Sequence, residues 1–210
     1  MRRRFTLTDG HIRKALDALA ADHAGVERAI AKVGYPPSRR REHSFESLAR
    51  IVMGQQLSTK AAATIARRVD ETMGGALQPK TLLVTAPDQL RAAGLSRQKI
   101  GYLRSLAEAV LAGDLSIETL PQLTDDEVEA AITAVRGFGR WSAHMYMIFS
   151  LGRPDIWPSG DLAVRGGFGR MMGWQNRPDE NKVIHEGSVF SPYRSALALL
   201  CWKFYSEAPL

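Results

Sequence analysis

The stretch "VRGFGRWSAHM", residues 135–145, sets Gly137 and Gly139 on either side of one large aromatic, Phe138, between two apolar runs. A glycine costs a helix interior about 1 kcal/mol against alanine. The segment therefore reads as a break between helices, a tight turn in which no Cβ obstructs the backbone. The run before it, "TDDEVEAAITAVRG", opens with Thr124 and Glu127 at capping-box spacing. Two helices joined by "RGFGR" make a helix–hairpin–helix pattern. Gly137, Gly139, Ser142 and Ala143 are the expected DNA contacts of this hairpin, since amides opening the second helix should point outward unpaired, where they would suit a phosphate oxygen. Such contacts position a protein on nucleic acid without reading bases. A plain interhelical turn fits the same glycines. A dinucleotide fingerprint does not, because no strand precedes the turn and the third glycine is missing.

The same periodicity runs outward through the chain. Its 210 residues, 45% hydrophobic, suffice for one large domain or two lobes with a real core. Ser44 can cap a helix whose Phe45, Leu48, Ile51 and Val52 share one face. Ala62, Ile65, Ala66 and Val69 form the next stripe, ending at Gly74, and Ile100, Leu103, Leu106, Ala107 and Val110 a later one. Asp22 can cap "HAGVERAIAKVG". The only strand-like run is "LLVT", residues 82–85. An all-α chain of about ten helices is predicted. "GFGR" recurs at residues 167–170, with unrelated flanks.

Lys+Arg exceed Asp+Glu by 28 to 22, a net charge of +6 that suits an acidic partner such as nucleic acid without requiring one. No apolar run approaches the roughly 18–20 residues that span a bilayer. "MRRRFTLTDGH" starts basic, but Thr6, Thr8 and Asp9 stand where a signal peptide needs apolar residues. An intracellular protein with no membrane partner is expected, cytoplasmic in a bacterium or nuclear in a eukaryote. The single cysteine, Cys201, rules out an intrachain disulfide and reads as a buried small hydrophobe.

Downstream, "DIWPSGDLAVRGG" places Asp161 just before a short helical run, which on its own fits an N-cap. Together, "FESLARIVMGQQLSTKAAATIARRV", "GLSRQKIGYLRSLAEAV", "VRGFGRWSAHM", "DIWPSGDLAVRGG" and "SPYRSALALLCW" cover most of residues 44–203. In that order they resemble the helix–hairpin–helix (HhH-GPD) DNA glycosylases, in particular the 3-methyladenine DNA glycosylase II branch.

The resemblance implies a fold of two helical lobes. Residues 44–140 would form a central bundle ending in the hairpin. Residues 1–43 and 141–210 would form the second lobe, with the active site in the cleft between them. The β-rich N-terminal domain of some relatives would have no counterpart. The implied reaction is excision of alkylated purines, of the 3-methyladenine and 7-methylguanine type, from double-stranded DNA by a monomer. The alternative is a non-enzymatic hairpin module that only grips DNA.

By position, Asp161 matches the catalytic carboxylate, and Gly160 stands where some relatives carry a second aspartate. Trp141 and Trp202 match aromatic walls of the base pocket, though both also fit core positions, and Met145 replaces a tyrosine of some relatives. Gln56 matches the side chain wedged into the duplex, with Leu57 as runner-up. Ser58 fits either a minor-groove contact or a cap. The main-chain carbonyls of Thr133, Val135 and Gly137 match donors to a structural Na⁺ or K⁺, and no cofactor is otherwise required. Relatives that also cut the strand carry a lysine where Trp141 stands, so a monofunctional hydrolase is implied. One cysteine cannot hold the iron–sulfur cluster of the endonuclease III branch.

Overall fold

The computed structural model describes residues 5–75 and 77–208, so the basic Met1–Arg4 of the N-terminal reading lie outside the described residues. Twelve α-helices occur among the described residues, with no strand. None is long and apolar enough to cross a membrane. The chain divides into two compact units, residues 41–146 and residues 5–40 with 147–208.

The unit of residues 41–146 holds α3 (Phe45–Gly54), α4 (Thr59–Met73), α5 (Pro79–Val84), α6 (Pro87–Ala92), α7 (Arg97–Ala112), α8 (Asp125–Thr133) and α9 (Arg140–Tyr146). Serine or threonine opens one helix after another. Ser44 accepts the Ser47 amide at 3.2 Å, Ser58 that of Ala61 at 3.2 Å and Ser96 that of Lys99 at 3.2 Å. The predicted capping box closes as well, with Thr124 accepting the Glu127 amide at 3.3 Å and Glu127 accepting the Thr124 amide at 2.7 Å. Each such cap is worth about 1 kcal/mol. The apolar stripes turn inward, so that Leu48, Val52, Leu82, Leu103, Leu106 and Ile132 are fully buried. Arg50 ties α3 to α4 by donating to Glu46 at 2.9 Å and to Asp70 at 2.5 Å.

The other unit holds α1 (Asp9–Asp22), α2 (Ala24–Val33), α10 (Leu162–Met171), α11 (Glu180–Gly187), α12 (Arg194–Glu207) and a π-helical turn, Met147–Leu151. Its core gathers Ile12, Leu16, Val26, Phe168, Leu197 and Leu200, all fully buried. Helices α10 and α12 pack at very close range. A Cβ on Gly167 would lie 2.1 Å from the Cys201 carbonyl oxygen, so only glycine lets these backbones meet. The repeated "GFGR" thus takes two conformations, a turn at residues 137–140 and helix interior at residues 167–170.

Two local expectations are corrected. Asp22 does not cap α2; it is the last residue of α1, and His23 precedes α2 with no side-chain cap. The buried stripe Ile12, Ala15, Leu16 and Leu19 carries α1 past the point where an aspartate would otherwise start a new helix. "LLVT" is no strand, since residues 82–84 end helix α5, which begins at Pro79 with its φ already suited to a first turn.

Candidate active site

In the hairpin between α8 and α9 the residues of the turn have distinct duties. Phe138 is buried, and its amide donates to the Val135 carbonyl at 3.0 Å, so the aromatic anchors the turn in the core. Gly137 has φ +92°, and a Cβ there would lie 2.1 Å from Cγ of Tyr102 on α7. A side chain is barred twice, by the dihedral and by the ring. Gly139 differs: it is exposed and nothing stands within 4 Å of its Cβ position. What it offers is bare backbone at the surface.

The expectation of outward, unpaired amides does not hold for Ser142 and Ala143. Both donate to the Gly139 carbonyl, at 2.9 and 3.2 Å, and both residues are buried. The surface of the turn belongs to Arg136, Gly139 and Arg140. Ser142 has a different partner, its Oγ accepting Nε2 of Gln55 at 3.1 Å.

Sequence reading missed the lock across this hairpin. Glu129 on α8 accepts Nε of Arg140 at 2.8 Å and faces Nε2 of His144 at 3.0 Å, both on α9. Burial alone would raise the Glu129 pKa, but the hydrogen bonds and charges of Arg140 and His144 outweigh it and hold the carboxyl below its usual range. Its stabilising contribution is therefore present above the ordinary glutamate pKa of about 4.3 and is lost as pH falls through the depressed folded value. Because Arg140 is largely exposed, the contribution is only about 1 kcal/mol or less. Glu129→Gln should melt below wild type at neutral pH by at most about 2–4 °C, with the gap closing in acid. A gap that persists unchanged at low pH would refute the ionic lock.

In the "QQLS" turn, Gln56 has φ +57°, alone among the described non-glycine residues in being left-handed. Gln56 and Leu57 are exposed at the tip, with Leu57 38% accessible. The Ser58 hydroxyl accepts the Ala61 amide and so caps α4. Trp141 is half-buried and Met145 buried on α9, within residues 41–146 and not in the lobe of residues 141–210 expected for them.

Asp161 is the N-cap of α10, its Oδ1 accepting the amides of Ala163 and Val164 at 2.9 Å each. The same oxygen accepts the indole N–H of Trp202 from α12 at 3.0 Å. Cap and tryptophan together fix the plane of the carboxylate. The Trp202 ring packs on Phe149 of the π-helical turn, with centroids 5.6 Å apart and planes 32° from parallel. Phe149 was not singled out from the sequence; the signal available was its four-residue spacing after Met145. Cys201, beside Trp202 in the chain, is fully buried. Burial, and then the negative charge of Asp161, push its thiol far above the usual range, which makes it an inert packing residue. Among the described residues no three His, Cys, Asp or Glu side chains are grouped to hold a metal.

Comparison with known proteins sets this all-helical chain, with its glycine hairpin and an aspartate fixed at a helix start, among base excision DNA repair proteins. The model of the HhH-GPD superfamily of base excision DNA repair proteins matches residues 49–192, and the chain belongs to that superfamily. DNA-3-methyladenine glycosylase 1 of Schizosaccharomyces pombe is 33% identical over 183 residues, covering 84% of this chain and 80% of the relative. A solved structure of the S. pombe 3-methyladenine DNA glycosylase in complex with abasic DNA superposes with a TM-score of 0.84 at 32% identity, covering 90% of this chain and 95% of that one. A DNA-3-methyladenine glycosidase from Bacillus halodurans gives a TM-score of 0.78 at 33% identity, covering 91% and 88%.

Proposed function

We propose that this base excision repair glycosylase hydrolyses the N-glycosidic bond of alkylated purines in double-stranded DNA without cutting the strand. The observation that carries the reading is the Asp161 carboxylate held on one oxygen by three N–H donors. A carboxylate fixed in this way suits a reaction that develops positive charge on a sugar, because it is oriented before the charge appears.

The chemistry follows from the substrate class. A base inside a duplex is unreachable, so it must be flipped out and its place in the stack filled, the role proposed for Gln56 or Leu57. Methylation at purine N3 or N7 makes the base cationic. When the bond to C1′ breaks, the base takes both electrons and leaves neutral, and the sugar becomes an oxocarbenium ion. Asp161 stabilises that ion or orients the water that adds to C1′ and loses its proton. The π faces of Trp141 and Trp202 would attract the cationic base by roughly 0.5–2 kcal/mol per contact. Exposed backbone at Gly139 and the Arg136 and Arg140 side chains are the proposed grip on phosphates. The carbonyls of Thr133, Val135 and Gly137 are the proposed donors to Na⁺ or K⁺, which would add positive charge beside the phosphate. They are neutral oxygens suited to such an ion, and Val135 keeps one lone pair beyond its bond from Phe138.

The test is incubation with methylated duplex DNA. Free methylated purine should appear, with abasic strands that break only after alkali, and borohydride should trap no protein–DNA adduct. A strand-cutting glycosylase needs an amine to attack C1′, and Trp141 supplies none. An efficient adduct lost on lysine substitution would overturn the monofunctional reading. Tight binding with no base release would make the protein a DNA-gripping module.

A further inference from the structure

The first helix of the "QQLS" region ends in an unusual way. Of the last carbonyls of α3, that of Val52 accepts the Gln55 amide at 3.2 Å and that of Gly54 the Leu57 amide at 3.2 Å. Met53 has no such amide in the turn. Its carbonyl accepts Nζ of Lys99, on α7, at 2.8 Å, and the same ammonium donates to the Gln55 carbonyl at 2.8 Å. Lys99 thus straddles Gly54 and fixes the peptide planes on both sides of it, immediately before the left-handed Gln56. An ammonium at a helix C-terminus meets the negative end of the dipole and satisfies orphan carbonyls. A second tether comes from the other side, where Gln55 Nε2 donates to the buried Ser142 at the start of α9.

These contacts leave residue 56 no easy retreat. A left-handed glutamine is a sterically disfavoured state that persists only where its surroundings over-determine it. A side chain pushed into a base stack bears load, and a turn free to relax would give way beneath it. We propose that Lys99 is a positioning residue for base extrusion, pinning the turn that carries Gln56 and Leu57 so that it holds its shape against the duplex. The proposal rests on the reading of that turn as the wedge. Partial burial also lowers the Lys99 pKa, consistent with an ammonium drawn out of water to serve these two carbonyls.

The experiment compares single-turnover excision of 7-methylguanine from a paired duplex with excision of the same base from a one-nucleotide bulge, where little extrusion is needed. Lys99→Met should slow the paired reaction by roughly 10- to 100-fold, the loss of a charge-assisted bond pair read through the barrier. Its DNA affinity should be unchanged, and the bulge rate should stay near wild type. Lys99→Arg, which keeps the charge and the donors, should recover much of the paired rate. Gln56→Ala or Leu57→Ala should show the same paired-only defect, and combining the affected one with Lys99→Met should add little. Equal losses on both substrates, or losses that multiply in the double variant, would overturn the proposal. Wild-type rates in both Gln56→Ala and Leu57→Ala would sink the wedge itself, a failure visible without touching Lys99. Should Lys99→Met not melt cooperatively, Ser142→Ala decides instead. By freeing Gln55 it should lower the paired rate alone, and an unchanged paired rate there would count against a pinned turn.

Discussion

Asp161→Asn is expected to release methylated purine about 10²- to 10⁴-fold more slowly than wild type, the range spanned by losing a preorganised charge or an acid–base group. DNA affinity should be equal or higher, since a negative charge facing phosphates is removed. The substitution is informative because Asp161 is both a helix cap and the proposed catalytic carboxylate. Its Oδ1 caps α10 through the amides of Ala163 and Val164, and asparagine caps a helix about as well as aspartate. An amide oxygen can also accept the Trp202 indole N–H. The fold should survive with a nearly unchanged melting temperature while the anionic charge is gone. Single-turnover base release, measured beside DNA-binding titrations and thermal melts, separates the cap from the proposed catalytic role. Excision within a few-fold of wild type would leave Asp161 as a cap alone.

The contacts of Asp161 show where a sequence stops informing. From periodicity and caps the helical stripes were legible, because each depends on residues a few positions apart: Ser44 with Ser47, Thr124 with Glu127. Asp22 misled because a local cap signal lost to the apolar face of α1, whose buried residues continue the helix to its end. "LLVT" misled because four apolar or β-branched residues look alike in a strand and a buried helix. At the hairpin the glycines were visible but their distinct duties were not. Tyr102, far off in sequence, is one of the two reasons why Gly137 admits no side chain, beside its φ of +92°. The motif residues Asp161 and Trp202 were found through family resemblance, yet the bond between them spans 41 positions and has no signature in spacing. Glu129 with His144, Phe149 with Trp202, and Lys99 with the end of α3 are contacts of the same long-range kind. They are set by packing, which no local pattern encodes.

Trp202→Phe should therefore behave unlike the loss of a simple aromatic wall. Phenylalanine keeps a ring that can lie against Phe149 and offer a π face to a cationic base, but it has no N–H for Asp161. A hydrogen bond to a charged group is worth about 1.5–3 kcal/mol, and each 1.36 kcal/mol on the barrier is about tenfold in rate. Trp202→Phe should slow base release by roughly 10- to 100-fold, with DNA binding little changed. Trp202→Ala, which removes ring and donor together, should be slower again. The carboxylate is the partner through which the donor acts, so Trp202→Phe placed on Asp161→Asn should add much less than it does on wild type. Thermal melts of each variant guard against simple loss of packing in α12. If Trp202→Phe excises at the wild-type rate while Trp202→Ala does not, the indole is only a wall and the N–H contact has no catalytic weight. If the two losses multiply in the double variant, Trp202 acts on the base independently of Asp161, and the carboxylate takes its orientation from the helix cap alone.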